Sequence, residues 1–565
     1  MMKTPYGISS FKTLREEGYL YIDKTKYIEV LENLNSKYLF FIRPRRFGKS
    51  LFLSTLAHYY DMRFKQAFDR LFGGLYIGEN PTKLRNDYFV LELDFSALNT
   101  ESKAALERTF KLRLIDSITG FLNKYSEFFA DISALQDRMK EMADVGSILG
   151  ALLESVKKTD KKIYLIIDEY DHFANDIIAM GDGAFYKEIV RAAGFVRDFY
   201  EAVKIGTKSV IDRIFITGIS PVMLDDLTSG FNIAANLTMH MAVNEMLGFT
   251  EGEVEGIIDK ADYNGDKGIL LDELRENYNG YLFHKDAKQR VYNPDMILHF
   301  FNELDMTGKY PEELIDDNVK TDYGRLNRLV GNEQNKKVLD EIIMNEGIVT
   351  EIVTRFSFDR MYDQGYFVSL LFYMGLLTIQ GTAYGKTKLG IPNYVVKTLF
   401  WEYFQRKLRE QFNIQYKTVQ LAKANWEIAF DGTLKPFLDF IGSNVLKALS
   451  NRDLIQFDEK YLKVILFAYL TTSNLYRPIS EKEVETGYID IYLEKDFRMP
   501  DVKYEWIIEL KYLKKDEKGK MGRLKEEGRR QLEKYMKSRE FAEKDNVKKA
   551  LIIFSGKDEY VVEEA

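Results

Sequence analysis

The first ~230 residues alternate short apolar runs with stretches of helical periodicity, and this alternation constrains the fold more than any other feature. It is typical of βαβ units, in which helices connect parallel strands. Four runs qualify as buried strands, namely Tyr38–Ile42, Phe89–Asp94, Ile163–Asp168 and Arg213–Thr217. Because open α/β sheets bind ligands at the carboxyl ends of their strands, the polar residues that close several of these runs are the first candidates for function.

The first of these strands runs into a loop that is typical of phosphate binding. Residues Phe40–Leu51 read FFIRPRRFGKSL and open a predicted helix. In that context backbone N–H groups at the helix start would cradle phosphate, Lys49 would reach the β- and γ-phosphates, and Ser50 would bind Mg²⁺. Arg43 stands where the G-x-x-x-x-G-K-S consensus has glycine, so a basic turn before a helix is the alternative interpretation.

The third predicted strand supports a nucleotide site because it ends in two carboxylates, Asp168 and Glu169. This pattern predicts that Asp168 holds Mg²⁺ and that Glu169 orients or deprotonates the attacking water. The alternative is a solvated acidic turn that continues through Asp171. At the end of the fourth strand, Thr217 is the first choice for a γ-phosphate sensor, with an ordinary turn as the alternative.

Together these motifs predict a site for ATP and Mg²⁺. The predicted cofactor-binding residues are Arg46, Phe47, Gly48, Lys49, Ser50, Leu51, Asp168 and Thr217. Ser50 and Asp168 are the predicted metal ligands, and Glu169 is the predicted catalytic residue. Arg43, Arg45 and Arg46 place positive charge near the phosphates. One of them could stabilise transition-state charge, and salt bridges to neighbouring residues are the alternative.

A second constellation lies near the C-terminus in two strand-like runs, Gly487–Leu493 and Tyr504–Tyr512. Period-two alternation puts Glu509 and Lys511 on one face, and Asp490 sits beside Glu509 if the two strands pair as a hairpin. Two carboxylates and a main-chain carbonyl would then form an oxygen site suited to Mg²⁺, with Asp490 and Glu509 as ligands. Lys511 would orient or activate water for attack on a phosphodiester. A plain Glu-x-Lys ion pair is the alternative.

Charge argues against a polybasic binder when it is taken over the whole chain, because 80 Lys and Arg face 87 Asp and Glu. The segment Leu510–Met536 is an exception, with ten basic and five acidic residues. It is a candidate track for a phosphate backbone, and Gln531 within it could face the metal site. A solvated helix face is the alternative.

Cysteine is absent, which excludes disulfides and thiolate chemistry and fits a reducing interior. The longest apolar run, Tyr366–Ile379, is shorter than the ~20 residues that a membrane-spanning helix needs. We therefore expect this run to be buried core, and we expect a cytoplasmic protein without a membrane partner.

The motifs together resemble the bacterial and archaeal AAA-ATPase-like proteins that carry a C-terminal PD-(D/E)xK nuclease-like domain. The resemblance covers nearly the whole chain. It rests on Tyr21–Thr25, Arg43–Ser50, Asp168–Asp171, Tyr278–Tyr281, Tyr292–Pro294, Ile391–Asn393, Asp490 and Glu509–Lys511. In that family the loop reads R-P-R-R-F-G-K-S, so Arg43 matches the family's own form. Ile489 stands in place of the family's proline.

The resemblance implies an α/β chain with a P-loop NTPase parallel sheet and helical lid, an α-helical middle region and a C-terminal α/β restriction-endonuclease-like domain. The expected regions are the ATPase core at 1–236, the helical lid at 237–300, the helical middle region at 301–445 and the nuclease-like domain at 446–565.

We therefore expect an ATPase coupled to a Mg²⁺-dependent nuclease that acts on nucleic acid, with DNA as the first choice and with defence or mobile-element control as a setting. Two alternatives stay open. One is a nucleotide-switched regulator that binds nucleic acid or protein through an inactive nuclease-like domain, and the other is a signalling ATPase without a nucleic-acid partner. An oligomer is compatible with the sequence, which identifies no arginine finger.

Overall fold

The computed structural model describes residues 2–180, 183–190, 194–223, 231–316, 319–320, 333–356, 360, 363–450, 458–556 and 559–564. The chain divides into two compact units. The first comprises Met1–Leu339 with Gly347–Tyr394, and the second comprises Asp340–Glu346 with Val395–Ala565.

A parallel five-stranded sheet forms the centre of the first unit. Its strands are β1 (Tyr38–Ile42), β2 (Phe89–Asp94), β3 (Ile163–Asp168), β4 (Ile211–Gly218) and β5 (Ala235–Asn236), in the spatial order β2-β3-β4-β1-β5. The strand pairings within this sheet are parallel among the described residues, and Asp94 is paired with Asp168 where β2 and β3 end. The alternating pattern predicted a parallel sheet, and the family resemblance implied its P-loop NTPase type. The sheet aligns the polar ends of β2 and β3.

Helices surround this sheet. The α-helices of the first unit are Phe11–Glu17, Lys26–Glu32, Lys49–Tyr60, Phe68–Phe72, Tyr76–Glu79, Lys103–Lys124, Ile132–Glu141, Val145–Val156, His172–Met180, Gly183–Val190, Phe195–Gly206, Glu251–Lys260, Lys267–Tyr278, Pro294–Thr307 and Gln364–Tyr373, and Glu333–Asn345 spans the division between the units. Short 3₁₀ segments occupy Met62–Ala67, Ser126–Phe128 and Met241–Val243.

Local sequence explains where the helices next to the sheet begin. The helix Lys49–Tyr60 starts after Gly48, whose φ of 85° is left-handed and therefore favours glycine. The helix Glu251–Lys260 starts with a capping box, in which Thr250 and Glu253 satisfy each other's backbone N–H groups. The helix Pro294–Thr307 has proline in its first turn and Asn293 as its N-cap. These caps fix the chain where it passes the ends of the strands.

The middle of the chain is mainly helical, but it also contains a small antiparallel sheet within the first unit. The strands β6 (Gly347–Thr350), β7 (Thr378–Ala383) and β8 (Lys386–Gly390) lie in the order β6-β8-β7. The preceding helix, Gln364–Tyr373, is buried from Tyr366 to Tyr373 because its residues are apolar all round. Burial of this apolar run agrees with the sequence prediction.

The second unit is built on another five-stranded sheet. Its strands are β9 (Tyr476–Val484), β10 (Gly487–Lys495), β11 (Glu505–Leu513), β12 (Val547–Ser555) and β13 (Glu559–Glu564), in the order β13-β12-β11-β10-β9. The pair β11–β12 is parallel and the other pairs are antiparallel. A parallel neighbour needs a crossover, which the helix Met521–Met536 provides. This mixed sheet is consistent with a restriction-endonuclease-like fold.

The remaining helices of the second unit precede the sheet or follow the crossover. The α-helices are Tyr394–Phe412, Thr418–Trp426, Lys435–Phe440, Lys447–Ser450, Glu459–Leu470 and Arg539–Ala542, with π-helical segments at Glu427–Asp431 and Ile441–Leu446 and 3₁₀ segments at Thr471–Ser473 and Lys515–Lys520. Among all helices that the structure describes, none combines the length and the apolar character needed to cross a bilayer.

Candidate functional site

The loop between β1 and the helix Lys49–Tyr60 has the geometry of a phosphate cradle. Arg46 has a φ of 67° and Gly48 a φ of 85°, so two residues of the loop take left-handed conformations just before the helix begins. The backbone N–H groups of the first helical turn have no partner within the helix, and they carry the positive end of its dipole. The structure therefore places these N–H groups directly after β1, where the motif predicts that phosphate binds.

Lys49, the first residue of the helix, bonds to the backbone of the loop and forms no ion pair with a described residue. Its side chain is buried, and Nζ donates hydrogen bonds to the carbonyl oxygens of Arg43 and Pro44, each at 3.1 Å. Neutral carbonyls stabilise an ammonium group without cancelling its charge. The charge of Lys49 is therefore held in place and remains effective toward an anion in the loop.

Ser50 and Asp168 meet although they lie 118 positions apart in the chain. The hydroxyl of Ser50 donates to Oδ2 of Asp168 at 2.7 Å. Burial raises the pKa of the Asp168 carboxyl, and the charge of Asp94, which is paired in register with Asp168 on the neighbouring strand, raises it further. One hydroxyl and the carboxylates are hard oxygen donors, so these residues fit Mg²⁺.

Glu169 is a buried carboxylate that accepts no hydrogen bond at Oε2 from any residue that the structure describes. Its backbone has a φ of 50°, which turns the chain sharply at the end of β3. Burial raises the pKa of its carboxyl to about 7, while the charge of Lys49 lowers it. A group that titrates near neutral pH is suited to act as a general base.

These residues surround a cavity of about 550 Å³. Of the eight residues predicted to bind the cofactor, seven line it, namely Arg46, Phe47, Gly48, Lys49, Ser50, Leu51 and Asp168. Glu169, Arg45 and Asp94 line it as well, and Asp295 lies 3.9 Å from Nη1 of Arg46. Asp94 closes one of the predicted strands, but the sequence alone assigned it no role in the site.

Thr217 is the predicted residue that does not line this cavity. Its side chain is buried, and its hydroxyl donates to the carbonyl oxygen of Phe41 at 2.7 Å. The side chain therefore ties β4 to β1 in the structure. Its neighbour in sequence, Gly218, carries the backbone to the end of β4.

Arg43, at the consensus glycine position, is one of the largest fully buried side chains among the described residues. Its guanidinium donates to the carbonyl oxygens of Thr238 at 2.7 Å and Val243 at 3.0 Å, and it stacks on the rings of Phe41 and Phe283. These contacts hold the guanidinium of Arg43 inside the core. Arg43 is therefore not positioned to stabilise charge on a transition state.

Asp171 is buried as well, which differs from the solvated acidic turn weighed above. Its carboxylate accepts hydrogen bonds from the backbone N–H of Ser220 at 2.7 Å, from the Ser220 hydroxyl at 2.8 Å and from Asn175. Asp171 therefore holds the chain beyond β4 against the chain beyond β3. The sequence pattern did not predict the contact with Ser220, which lies 49 positions further along the chain.

The second unit brings together the three predicted residues Asp490, Glu509 and Lys511. The antiparallel strands β10 and β11 pair Ile491 with Ile508, so Asp490 and Glu509 lie opposite each other at the next position. Oδ2 of Asp490 accepts a hydrogen bond from the backbone N–H of Leu510 at 2.9 Å. Nζ of Lys511 lies 2.5 Å from Oε1 of Glu509 and 3.6 Å from Oδ2 of Asp490. The pairing of β10 with β11 that this site requires is therefore present.

Glu509 is fully buried, and its pKa is raised mainly by burial and next by the charge of Asp490, while Lys511 lowers it. Glu459, in the first turn of the helix Glu459–Leu470, adds to the negative potential, and its own pKa is raised by burial and by Asp490. Sequence reasoning missed Glu459, because an acidic residue in a first helical turn is ordinarily explained by the helix dipole.

The crossover helix packs its buried face on this sheet. Tyr535 donates from its hydroxyl to the carbonyl oxygen of Tyr488 at 2.7 Å, and burial together with Glu509 raises the pKa of Tyr535 to about 12. Oε1 of Gln531, one turn earlier, is buried without a hydrogen-bond partner among the described residues. Gln531 therefore has hydrogen-bonding capacity left for a ligand.

The donor set of the second unit suits a divalent cation that keeps part of its coordination shell as water. Within the described parts of the chain, no three His, Cys, Asp or Glu side chains already form a metal cage. Asp490 and Glu509 supply carboxylate oxygens, and the backbone carbonyl of Leu510 lies on the strand between Glu509 and Lys511. Mg²⁺ commonly keeps several waters and takes only one or two carboxylates, so such a set suits it.

Comparisons with known proteins agree with this division of the chain. A family described as predicted AAA-ATPase matches residues 5–228, and the PD-(D/E)XK nuclease superfamily matches residues 457–564. An uncharacterized protein in the vnfD 5′ region of Azotobacter chroococcum mcd 1 is 27% identical over 300 residues, which are 53% of this chain and 52% of that protein. The match thus spans about half the length of that relative.

Solved structures of low identity are similar to part of the chain. The Walker-type ATPase PABY2304 of Pyrococcus abyssi is 12% identical with a TM-score of 0.39, covering 71% of this chain and 98% of that protein. The Aeropyrum pernix ORC1 protein in complex with DNA is 10% identical with a TM-score of 0.26, covering 69% of this chain and 95% of that protein. Two separate regions of the chain therefore match the models of the predicted AAA-ATPase family and of the PD-(D/E)XK nuclease superfamily, and both matches agree with the resemblance seen in the sequence.

Proposed function

We propose that this protein binds and hydrolyses ATP with Mg²⁺ in its first unit and cleaves phosphodiester bonds of nucleic acid, DNA first, in its second unit. Three observations support the ATPase half. Lys49 is held by carbonyl oxygens of the loop, Ser50 is hydrogen-bonded to Asp168, and Oε2 of Glu169 is buried without a partner among the described residues. Bound Mg²⁺ would neutralise phosphate charge, with Ser50 and Asp168 as its ligands. Glu169 would accept the proton of the attacking water.

The observation that carries the nuclease half is the cluster of Asp490, Glu509 and Lys511, in which Glu509 is fully buried. A buried carboxylate is costly unless a cation pairs with it, and titratable groups held in this way are concentrated at functional sites. Bound Mg²⁺ would stabilise charge that develops on the phosphodiester. Lys511 would hold or orient the attacking water, and Gln531 would hydrogen-bond within the site.

The surface near this cluster also suits nucleic acid. Tyr488 precedes Asp490 by two positions on β10, so the two side chains share a face, and Tyr488 is 56% exposed. Exposed aromatic rings stack on bases. On the crossover helix, Arg523, Arg530 and Lys534 are exposed. Their helical spacing places them along one stripe, which favours contact with a phosphate backbone.

The test is a cleavage assay on the full chain with Mg²⁺ or Mn²⁺, using single-stranded DNA, duplex DNA and RNA, with and without ATP. We expect cleavage by the wild-type protein and loss of cleavage in Glu509→Gln. The matched control is Glu483→Gln, which neutralises an exposed carboxylate of the same sheet on β9. Full cleavage by Glu509→Gln would remove the nuclease assignment.

One observation favours an alternative, a nucleotide-switched regulator that binds without cutting. Lys511 lies against both Glu509 and Asp490, so its ammonium group already pairs with the two carboxylates that a metal ion would need as ligands. The same assay separates the two functions. Binding of nucleic acid without cleavage under any of these conditions supports the regulator, and a failure to bind at low salt supports a signalling ATPase. The defence setting and the four region boundaries remain predictions.

A further inference from the structure

The hairpin of β7 and β8, in the first unit, ends in an unusual turn. Ala383 pairs with Lys386, so the turn has two residues, Tyr384 and Gly385, with φ values of 53° and 75°. Positive φ at both positions is the type I′ geometry, which prefers asparagine followed by glycine. Tyrosine is disfavoured in the left-handed region because its Cβ approaches the backbone. The tyrosine is therefore not explained by the needs of the turn.

Packing does not explain it either. Tyr384 is 99% exposed, which makes it the most exposed large hydrophobic residue in the described part of the chain. No hydrogen bond or ring contact joins it to another described residue. Both faces of its ring are open to solvent. An aromatic ring that stabilises neither its turn nor a core is available to a partner.

The hairpin around this ring is positively charged. Thr378–Gly390 contains Lys386 and Lys388 and no acidic residue. Both lysines are exposed, and neither forms an ion pair with a described residue. Two positions apart on β8, they point to the same face of the sheet. Val349, on β6, is paired with Lys388 and is also exposed.

We propose that this hairpin is a contact site for single-stranded nucleic acid, in which Tyr384 stacks on a base and Lys386 and Lys388 meet adjacent phosphates. An open aromatic ring beside unpaired cations is the combination that binds single strands with little sequence preference. A single strand is favoured over a duplex because both faces of the ring are free, and only an unpaired base can stack on it. This inference rests on the proposed function in naming nucleic acid as the partner, but it does not depend on cleavage.

The hairpin is connected to the phosphate loop through the segment 280–282 of the first unit. The hydroxyl of Thr378, at the start of β7, donates to the carbonyl oxygen of Gly280 at 3.1 Å and accepts the N–H of Leu282 at 2.8 Å. Between Gly280 and Leu282 lies Tyr281, whose ring packs edge-on against Phe47 of the phosphate loop. Nucleic acid on the hairpin would therefore contact an element that is fixed to the nucleotide site.

The test measures binding of a fluorescein-labelled 20-nucleotide single-stranded DNA to the full chain by anisotropy, in EDTA so that nothing is cut. Tyr384→Asn removes the ring and installs the residue that the turn prefers, so folding is preserved. Loss of one stacked base should weaken binding about 5- to 100-fold. The double variant Lys386→Gln/Lys388→Gln should lower the dependence of log Kd on log salt by about 1.4, for two phosphates on a single strand.

The matched control is Lys83→Gln/Lys158→Gln, which removes the same charge from exposed positions of the first unit. Unchanged binding by Tyr384→Asn, or an equal salt effect in the control, would overturn the inference. So would a loss confined to duplex DNA of the same sequence. If hairpin variants bind normally while the wild type cleaves, only this inference fails. If the wild type binds through the hairpin but never cleaves, only the proposed nuclease fails.

Discussion

The two candidate sites use the same chemical groups in opposite ways. In the first unit, Lys49 is bound by backbone carbonyls, and Glu169 accepts no hydrogen bond at Oε2 from a described residue. In the second unit, Lys511 lies against Glu509 and Asp490. The lysine and the carboxylates are thus kept apart in one site and paired in the other.

This difference predicts what each site needs from its ligand. In the first unit, Lys49 can bind an anion, and Ser50 and Asp168 can bind a cation. A nucleotide with Mg²⁺ supplies both ions together. The paired charges of the second unit already neutralise one another in part. A metal ion must therefore compete with Lys511 for the carboxylates, so we expect it to bind weakly until substrate phosphate offers the lysine another partner.

The largest expected effect is on enzymatic activity, where variants of Lys49 and Lys511 should lose different reactions. Lys49→Ala should lower ATP hydrolysis about 10²- to 10³-fold, because it removes charge stabilisation from the transferred phosphate. Lys511→Ala should leave ATP hydrolysis unchanged and abolish cleavage of nucleic acid. Phosphate release and oligonucleotide cleavage are measured on both variants. ATP turnover by Lys49→Ala at the wild-type rate would contradict the assignment of the loop.

The next effect is on the free energy of unfolding, in which variants of the buried residues Glu169 and Glu509 should differ. The pKa of Glu169 is raised to about 7 by burial, so ionisation opposes folding above the unfolded pKa of about 4.5. Glu169→Gln should therefore match the wild type near pH 4, gain stability as pH rises, and reach a full gain of about 1–3 kcal/mol above pH 7. Urea unfolding at pH 4.5 and pH 8 measures the difference.

Glu509→Gln is the comparison for this measurement. Its carboxylate is buried too, but Lys511 loses its nearest anion when the charge is removed. We expect a smaller gain at pH 8 than for Glu169→Gln. Equal gains would show that Lys511 contributes no net stabilisation to Glu509.

The smallest effect tests the competition between lysine and metal. Lys511→Met removes the ammonium group and leaves Asp490, Glu509 and Glu459 uncompensated, so Mn²⁺ should bind to the second unit about tenfold more tightly. Calorimetry with Mn²⁺ measures this without any cleavage. Lys544→Met is the control, because Lys544 pairs with Glu505 on the same strand as Glu509. Unchanged affinity in Lys511→Met would break the contrast between the two sites.

Much of the fold could be predicted from local sequence. The predicted runs Tyr38–Ile42, Phe89–Asp94 and Ile163–Asp168 coincide with β1, β2 and β3, because buried parallel strands are continuous apolar runs. The fourth strand is longer than predicted, extending from Ile211 to Gly218. Its polar residue Asp212 is only partly buried, so it weakened the apolar signal without ending the strand.

The surroundings of individual side chains could not be predicted in the same way. Thr217 looked like a sensor, yet its hydroxyl bonds to Phe41 on a strand that is distant in sequence. Asp171 looked solvated, yet its carboxylate accepts hydrogen bonds from Ser220, which lies 49 positions further on. The small sheet of β6, β7 and β8 also escaped prediction, because its strands are short and one of them is separated from the others by a helix. Such contacts depend on tertiary packing, which periodicity does not encode.

The burial of Arg43 has a consequence for the thermodynamics of nucleotide binding. A glycine at this position would leave the start of the loop free to sample many conformations, and a ligand would have to select one of them at a cost in entropy. With its guanidinium fixed by three carbonyl oxygens and two aromatic rings, that part of the loop is ordered before any ligand arrives. Nucleotide association should therefore carry a small entropic penalty from the loop, and amide exchange at its first residues should be slow in the free protein.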